Sequence, residues 1–225
     1  MSSKPSAVLW DMDGTLVDTE PYWMAAETEL VGSFGGTWTH DDALKLVGSG
    51  LLDSAAILQE VGVDMERQAI VDHLTDEVAG RLRTLGVPFR PGARELLADL
   101  RAAGIPTALV TMSLRRMALS VVELIDFPAF DLVVAGDDVS RPKPHPEPYL
   151  HAAGLLEIDI ADAVVIEDSR TGVAAGVASG AVTLGVPHII PLDGQGAHEL
   201  WPTLEGRSAT DLVELHSRHT SEAVR

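Results

Sequence analysis

The sequence predicts an α/β protein, a parallel sheet covered by helices on both faces and interrupted after its first strand by an all-helical insertion. Short apolar runs at Ala7 to Trp10, Thr107 to Thr111, Leu132 to Ala135, Ala163 to Ile166 and Ala181 to Leu184 alternate with helical stretches, as in successive βα units. Residues from about Val17 to Pro88 contain no convincing strand. Polar residues of several kinds follow four of the runs, and ligands bind beyond the carboxyl ends of strands in open parallel sheets. The expected division is a core of residues 1–16 and 89–225 and a helical cap of residues 17–88, hanging over the strand ends.

Taken in order, AVLW reads as a buried strand, and Gly14 lets the chain turn sharply after Asp11 and Asp13. Residues 21–34 have helical spacing, with Pro21 tolerated in the first turn and Gly32, Gly35 and Gly36 ending it. Thr39 is the expected N-cap of a helix over 41–47. A loop of Gly48, Ser49 and Gly50 leads to a helix over 51–61, and a longer helix runs from about 64 to 84. Gly86, Pro88, Pro91 and Gly92 make a rigid connector. Helices are then expected over 93–103, 114–125, 147–153 and 170–179. The tail from Gly194 is ambiguous apart from a helix near 211–219, with Ser208 or Thr210 before it and His216 and His219 on a solvated face. Gly172, Gly176 and Gly180 recur every four residues. Neither G-x-G-x-x-G nor G-K-[ST] occurs, so they read as close packing of a helix on the sheet.

With 225 residues the chain is long enough to bury a sizeable core. A net charge of −18 opposes a polyanion-binding surface, because nucleic acid affinity is built largely from Lys and Arg; it leaves room for one small phosphate. The absence of cysteine excludes disulfides, thiolate metal sites and a cysteine nucleophile. The opening MSSKPSAVLWDMD lacks the apolar stretch of a signal peptide, and no run is long enough to cross a membrane. The expectation is a cytoplasmic protein, a monomer or small homo-oligomer, that binds neither nucleic acid nor membrane.

If the strands are parallel, Asp11, Asp13, Thr111, Lys143, Glu167 and Asp168 converge at one edge of the sheet. Carboxylates 4 Å apart repel by about 4 kcal/mol at an effective dielectric near 20, so such a cluster calls for a cation. Oxygen ligands without cysteine or a histidine cluster favour Mg²⁺ over zinc. A hydroxyl from Thr111 and an ammonium from Lys143 suit phosphoryl oxygens. Each residue also has a plainer reading. Asp-x-Asp-Gly serves a polar turn, Thr111 a strand end, Lys143 a solvated loop, and Glu167 and Asp168 the cap of the next helix. A calcium loop fails, since Gly14 is its fourth position and Tyr22 stands where the twelfth needs Glu.

In DMDGTLVDTE, ALVTMS, RPKPHPEP and VVIEDSRTGVAAG, taken in that order, the chain resembles the haloacid dehalogenase superfamily, in its phosphatase and beta-phosphoglucomutase-like branch with a helical cap. The resemblance covers roughly Ala7 to Leu184 and implies a Rossmann-like core. It also implies a Mg²⁺-dependent phosphatase acting on a small phosphorylated metabolite, such as a sugar phosphate. Asp11 would be the nucleophile that becomes an aspartyl phosphate, and Asp13 the acid and then base. Thr111 and Lys143 would hold phosphoryl oxygens and offset charge. The metal would be held by Asp11, the backbone carbonyl of Asp13 and Asp168, with Glu167 as ligand or supporting partner.

Asp13 distinguishes this pattern from the dehalogenases and phosphonate-cleaving relatives, which lack it. Trp23 and Leu51 stand where the mutases carry a histidine and an arginine, which favours a hydrolase over a beta-phosphoglucomutase-like phosphomutase. A non-catalytic phospho-receiver also gathers acids, a hydroxyl and a lysine around Mg²⁺, but it has no equivalent of Asp13 or of the long insertion. Trp23, Trp38 and residues 48–52 are candidates for substrate contact or for the cap's own core and hinges.

Overall fold

The computed structural model describes residues 4–47 and 49–222. In chain order the elements are β1 (Ala7–Trp10), α1 (Glu20–Ser33), α2 (His40–Ala43), α3 (Leu51–Glu60), α4 (Arg67–Leu85), α5 (Ala93–Ala102), β2 (Thr107–Val110), α6 (Arg115–Glu123), β3 (Leu132–Val134), α7 (Glu147–Leu155), β4 (Ala163–Glu167), α8 (Arg170–Ser179), β5 (Val182–Gly185), β6 (Glu199–Leu200) and α9 (Ala209–Glu222). They fall into two compact units, Met1–Asp18 with Phe89–Arg225, and Thr19–Pro88.

The first unit is an α/β, Rossmann-like fold around a parallel sheet of order β3-β2-β1-β4-β5-β6. Strands β1, β2, β4 and β5 are buried along their whole length, which is why they read as continuous apolar runs. Leu9, Val110, Val134 and Val165 join Tyr149 and Ala152 of α7 and Ala175 of α8 in one apolar cluster. The chain goes from β1 to β2 on one side, and β4 returns to pair with the other side of β1. That reversal of strand order opens a crevice at the carboxyl ends of β1 and β4. Asp11 follows β1 directly, and its N–H donates to the carbonyl of Ile166 at 3.0 Å. Val17, expected in the insertion, instead forms bridges to Asp13 and Phe89 of this unit.

The glycines of α8 divide their labour. A Cβ at Gly176 would lie 2.8 Å from Thr183 Oγ1 and 3.0 Å from Val165 Cγ1, so this position is helix-on-sheet packing. Gly180 ends the helix with φ of 91°. Gly172 has a different neighbour, described below. In the tail, Ser208 caps α9: its Oγ accepts from the N–H of Asp211 at 3.4 Å, and its own N–H donates to Asp211 Oδ2 at 2.8 Å. His216 is buried at 1 % exposure beside Leu212 and Leu215, which corrects the expectation of a solvated face. Residues 212, 215 and 216 share a helical face turned inward. Strand β6 extends the sheet beside β5; two residues carry no periodicity that a sequence could display.

In the second unit, Ile70, Leu74, Val78 and Leu82 of α4 form an i, i+4 stripe that is buried along with Ala26, Leu30 and Val31 of α1 and Ala55 and Leu58 of α3. Thr39 and Asp42 make a capping box at α2. The helix expected over 41–47 stops at Ala43, because the next turns tighten to i→i+3 bonds from Lys45 N–H to Asp42 and from Leu46 N–H to Ala43. Gly48 lies outside the described residues, and among those described no helix is long and apolar enough to cross a membrane.

Candidate active site

The carboxyl ends of β1, β2 and β4 bring together side chains from distant parts of the sequence. Lys143 Nζ donates to Asp11 Oδ1 at 2.7 Å, Glu167 Oε1 at 2.7 Å and the carbonyl of Val110 at 2.9 Å. An ammonium has three N–H donors, so each finds an acceptor, and the lysine's reach to 4 % exposure is matched by its bonds. The loop carrying it includes Pro142 and Pro144, which restrict the backbone on either side.

Asp11, Glu167 and Asp168 each offer an oxygen within 4.8 Å of the others. One buried ammonium cannot balance three carboxylates. Burial, and next the Glu167 charge, push Asp11 up to about 7 against the pull of Lys143. Burial, then Asp11 and Glu167, raise Asp168 well above the ordinary carboxylate range. Burial alone would lower Lys143, but Asp11 and Glu167 outweigh it and hold the amine above its usual value. The excess of negative charge and the all-oxygen donor set fit a hard divalent cation such as Mg²⁺.

Asp13 turns elsewhere. Its Oδ2 accepts from Ser113 Oγ at 2.7 Å and Thr111 Oγ1 at 3.4 Å, and Thr111 Oγ1 accepts from the N–H of Ser113 at 3.0 Å. Its side chain is outside the three-carboxylate cluster, which leaves it suited to proton transfer. All six residues singled out in the sequence therefore lie at one strand edge, in two linked groups.

Other members were not evident in the sequence. Thr15 Oγ1 donates to Asp168 Oδ1 at 3.2 Å. Gly14 has φ of +89°, and a Cβ there would lie 2.0 Å from Asp168 Oδ2. Glu167 Oε1 also accepts from Tyr149 Oη at 2.6 Å, and Ser169 Oγ donates to Oε2 at 3.2 Å. Tyr149 reads in sequence as one more apolar position of α7, with nothing to announce a polar role. His145, in the loop before α7, accepts from the N–H of Glu147 on Nδ1 at 3.0 Å. In the helical unit, Trp38 is buried and donates through Nε1 to Glu27 Oε2 at 3.1 Å, which makes it part of that unit's interior.

Comparison with known proteins agrees with the geometry. The profile of the haloacid dehalogenase-like hydrolases matches residues 8–186. A phosphorylated carbohydrates phosphatase of Thermotoga maritima is 33 % identical over 184 residues, covering 81 % of this chain and 85 % of the relative. A bifunctional riboflavin kinase/FMN phosphatase of Arabidopsis thaliana is 33 % identical over 193 residues and 82 % of this chain, which spans 49 % of that relative's length. Among solved structures, CbbY from Rhodobacter sphaeroides, in complex with xylulose-(1,5)-bisphosphate, superposes with a TM-score of 0.83 at 24 % identity, over 92 % of this chain and 99 % of that one. At that identity it supports the fold. The chain belongs to the haloacid dehalogenase-like hydrolases, in their phosphatase branch.

Proposed function

We propose that this protein is a Mg²⁺-dependent phosphomonoesterase that hydrolyses a small phosphorylated metabolite, a sugar phosphate, through an aspartyl phosphate on Asp11. The observation that carries the reading is the pair of groups at the strand ends. Asp11 is held by Lys143 beside Glu167 and Asp168, while Asp13 is bonded to Ser113 and Thr111.

In this mechanism an oxygen of Asp11 attacks phosphorus as the bond to the leaving oxygen breaks, and Asp13 gives that oxygen its proton. Asp13, now a carboxylate, takes a proton from water as the water attacks the phosphoaspartate, and phosphate and Asp11 are released. Lys143 offsets charge on the nucleophile and on the transferring group, and the Thr111 hydroxyl is suited to a phosphoryl oxygen. Asp11, the backbone carbonyl of Asp13 and Asp168 would hold Mg²⁺, with Glu167 behind them. When bound, the ion neutralises charge on the nucleophile and on the phosphoryl oxygens. Choice of the leaving group is assigned to the helical unit Thr19–Pro88, read as a cap. Relatives named phosphorylated carbohydrates phosphatase and hexitol phosphatase support a sugar phosphate as the substrate class.

The test is phosphate release from an aryl phosphate and from a panel of sugar phosphates, with and without Mg²⁺. Activity that needs Mg²⁺ and vanishes in Asp11→Asn is expected. Activity unchanged in Asp11→Asn overturns the assignment. Isomerisation of a hexose phosphate without phosphate release would instead make the protein a mutase, and a long-lived phosphoaspartate without turnover would make it a receiver.

A further inference from the structure

Tyr149 is among the largest fully buried side chains, inside the apolar cluster under the sheet. Phenylalanine would fill such a place, and a hydroxyl there costs free energy unless it is hydrogen-bonded. Its bond goes to Glu167 Oε1, at 2.6 Å, the same oxygen that accepts from Lys143 Nζ at 2.7 Å. The ammonium also stands 4.9 Å from the centre of the Tyr149 ring. One side chain thus meets the lysine twice, once through the ring face and once through a shared carboxylate oxygen. Lysine ends a flexible four-carbon stem and needs such a fixture to keep one position.

We propose that Tyr149 is a positioning residue, which holds Lys143 Nζ on Asp11 Oδ1 by anchoring Glu167 Oε1 and underlying the ammonium. It rests on the phosphatase reading for its catalytic consequence and on geometry alone for the tie to Lys143. With Oε1 shared by Tyr149 and Lys143 and Oε2 taking Ser169, Glu167 acts chiefly as the post to which the lysine is fastened.

The chain has three lysines, Lys4, Lys45 and Lys143, so amine acylation followed by mass spectrometry reads each separately. Lys45, 67 % exposed, serves as the internal standard for Lys143, 4 % exposed. Tyr149→Phe keeps the ring and removes only the hydroxyl. Acylation of Lys143 relative to Lys45 is expected to rise about tenfold, and kcat to fall about tenfold with KM unchanged, the scale of one hydrogen bond to a charged group. Tyr149→Leu, which also removes the ring, is expected to go further in both. The urea midpoint of each variant shows that it is folded, and Tyr149→Trp, which keeps a ring without the hydroxyl, replaces Tyr149→Phe if that variant is not. Unchanged acylation overturns the tie, and faster acylation with unchanged kcat overturns the positioning role. A wild-type protein without phosphatase activity, in which acylation still responds to Tyr149→Phe, refutes the phosphatase reading and supports the tie.

Discussion

Gly172 faces the Glu167 carboxyl group so closely that a Cβ on the glycine would lie 1.9 Å from its carbon and from both oxygens. The first turn of α8 and the end of β4 are therefore fitted to each other around a carboxylate, within hydrogen-bond reach of Lys143 and Tyr149.

Gly172→Ala is expected to destabilise the protein by about 1–3 kcal/mol, although glycine to alanine in a helix ordinarily stabilises by about 0.5–1 kcal/mol. Gly154 in α7 is the control, because a Cβ there would meet nothing within 4 Å. Urea unfolding of both variants should show opposite signs, and phosphatase activity should fall only in Gly172→Ala.

Removing the lysine should cost more than removing either acid. Lys143→Met leaves Asp11 and Glu167 facing each other without a counter-charge and is expected to lose about 3–5 kcal/mol, the scale for breaking a buried pair. Asp11→Asn removes one of the crowded charges, so it should abolish turnover while leaving stability at neutral pH near or above wild type. Chemical denaturation and single-turnover kinetics on the two variants check this contrast.

Mg²⁺ should stabilise the folded protein through the three-carboxylate cluster. At one hundred times its dissociation constant a bound ion contributes about 2.7 kcal/mol, and each kcal/mol raises Tm by about 2–4 °C in a chain of this size. The shift, read by scanning calorimetry with MgCl₂ against EDTA, should disappear in Asp168→Asn. A shift of equal size in that variant would remove Asp168 from the metal site.

Glu27 gives a pH dependence separate from the active site. Burial pushes it up to about 7, against the lowering bond from Trp38 Nε1. Because its folded pKa lies above the ordinary value, the folded state holds the proton more tightly. Its contribution is fully present below about pH 4.5 and is lost as pH rises through 7, on the order of 3 kcal/mol in all. Glu27→Gln keeps an acceptor for Trp38 without the charge. In urea titrations the variant should match wild type at pH 4 and exceed it at pH 8; equal midpoints at both pH values would contradict this.

The legible part of the fold was the part built from repetition. Buried strands such as AVLW, and AVVI of β4, show as unbroken apolar runs, and the long α4 stripe shows as spacing by four. Where the element is short or its partner distant, the signal fades. The early end of α2 is a matter of which carbonyl each N–H reaches, and β6 exists only because β5 offers an edge. His216 went inward because α9 turns that face to the protein, which a polar residue type does not announce.

Residue type and order were enough to announce the chemistry on offer: two aspartates after the first strand, a hydroxyl after the second, a lysine between prolines and an acidic pair after the fourth. They suffice because each polar group but the lysine follows directly on an apolar run. How those groups share charge and hydrogen bonds emerged with folding. The assignment of Lys143 to Asp11 and Glu167, of Thr15 to Asp168, of Ser113 to Asp13 and of Tyr149 to Glu167 depends on contacts between residues well separated in the chain. Such contacts are set when strands pair and helices pack, and no local pattern encodes them.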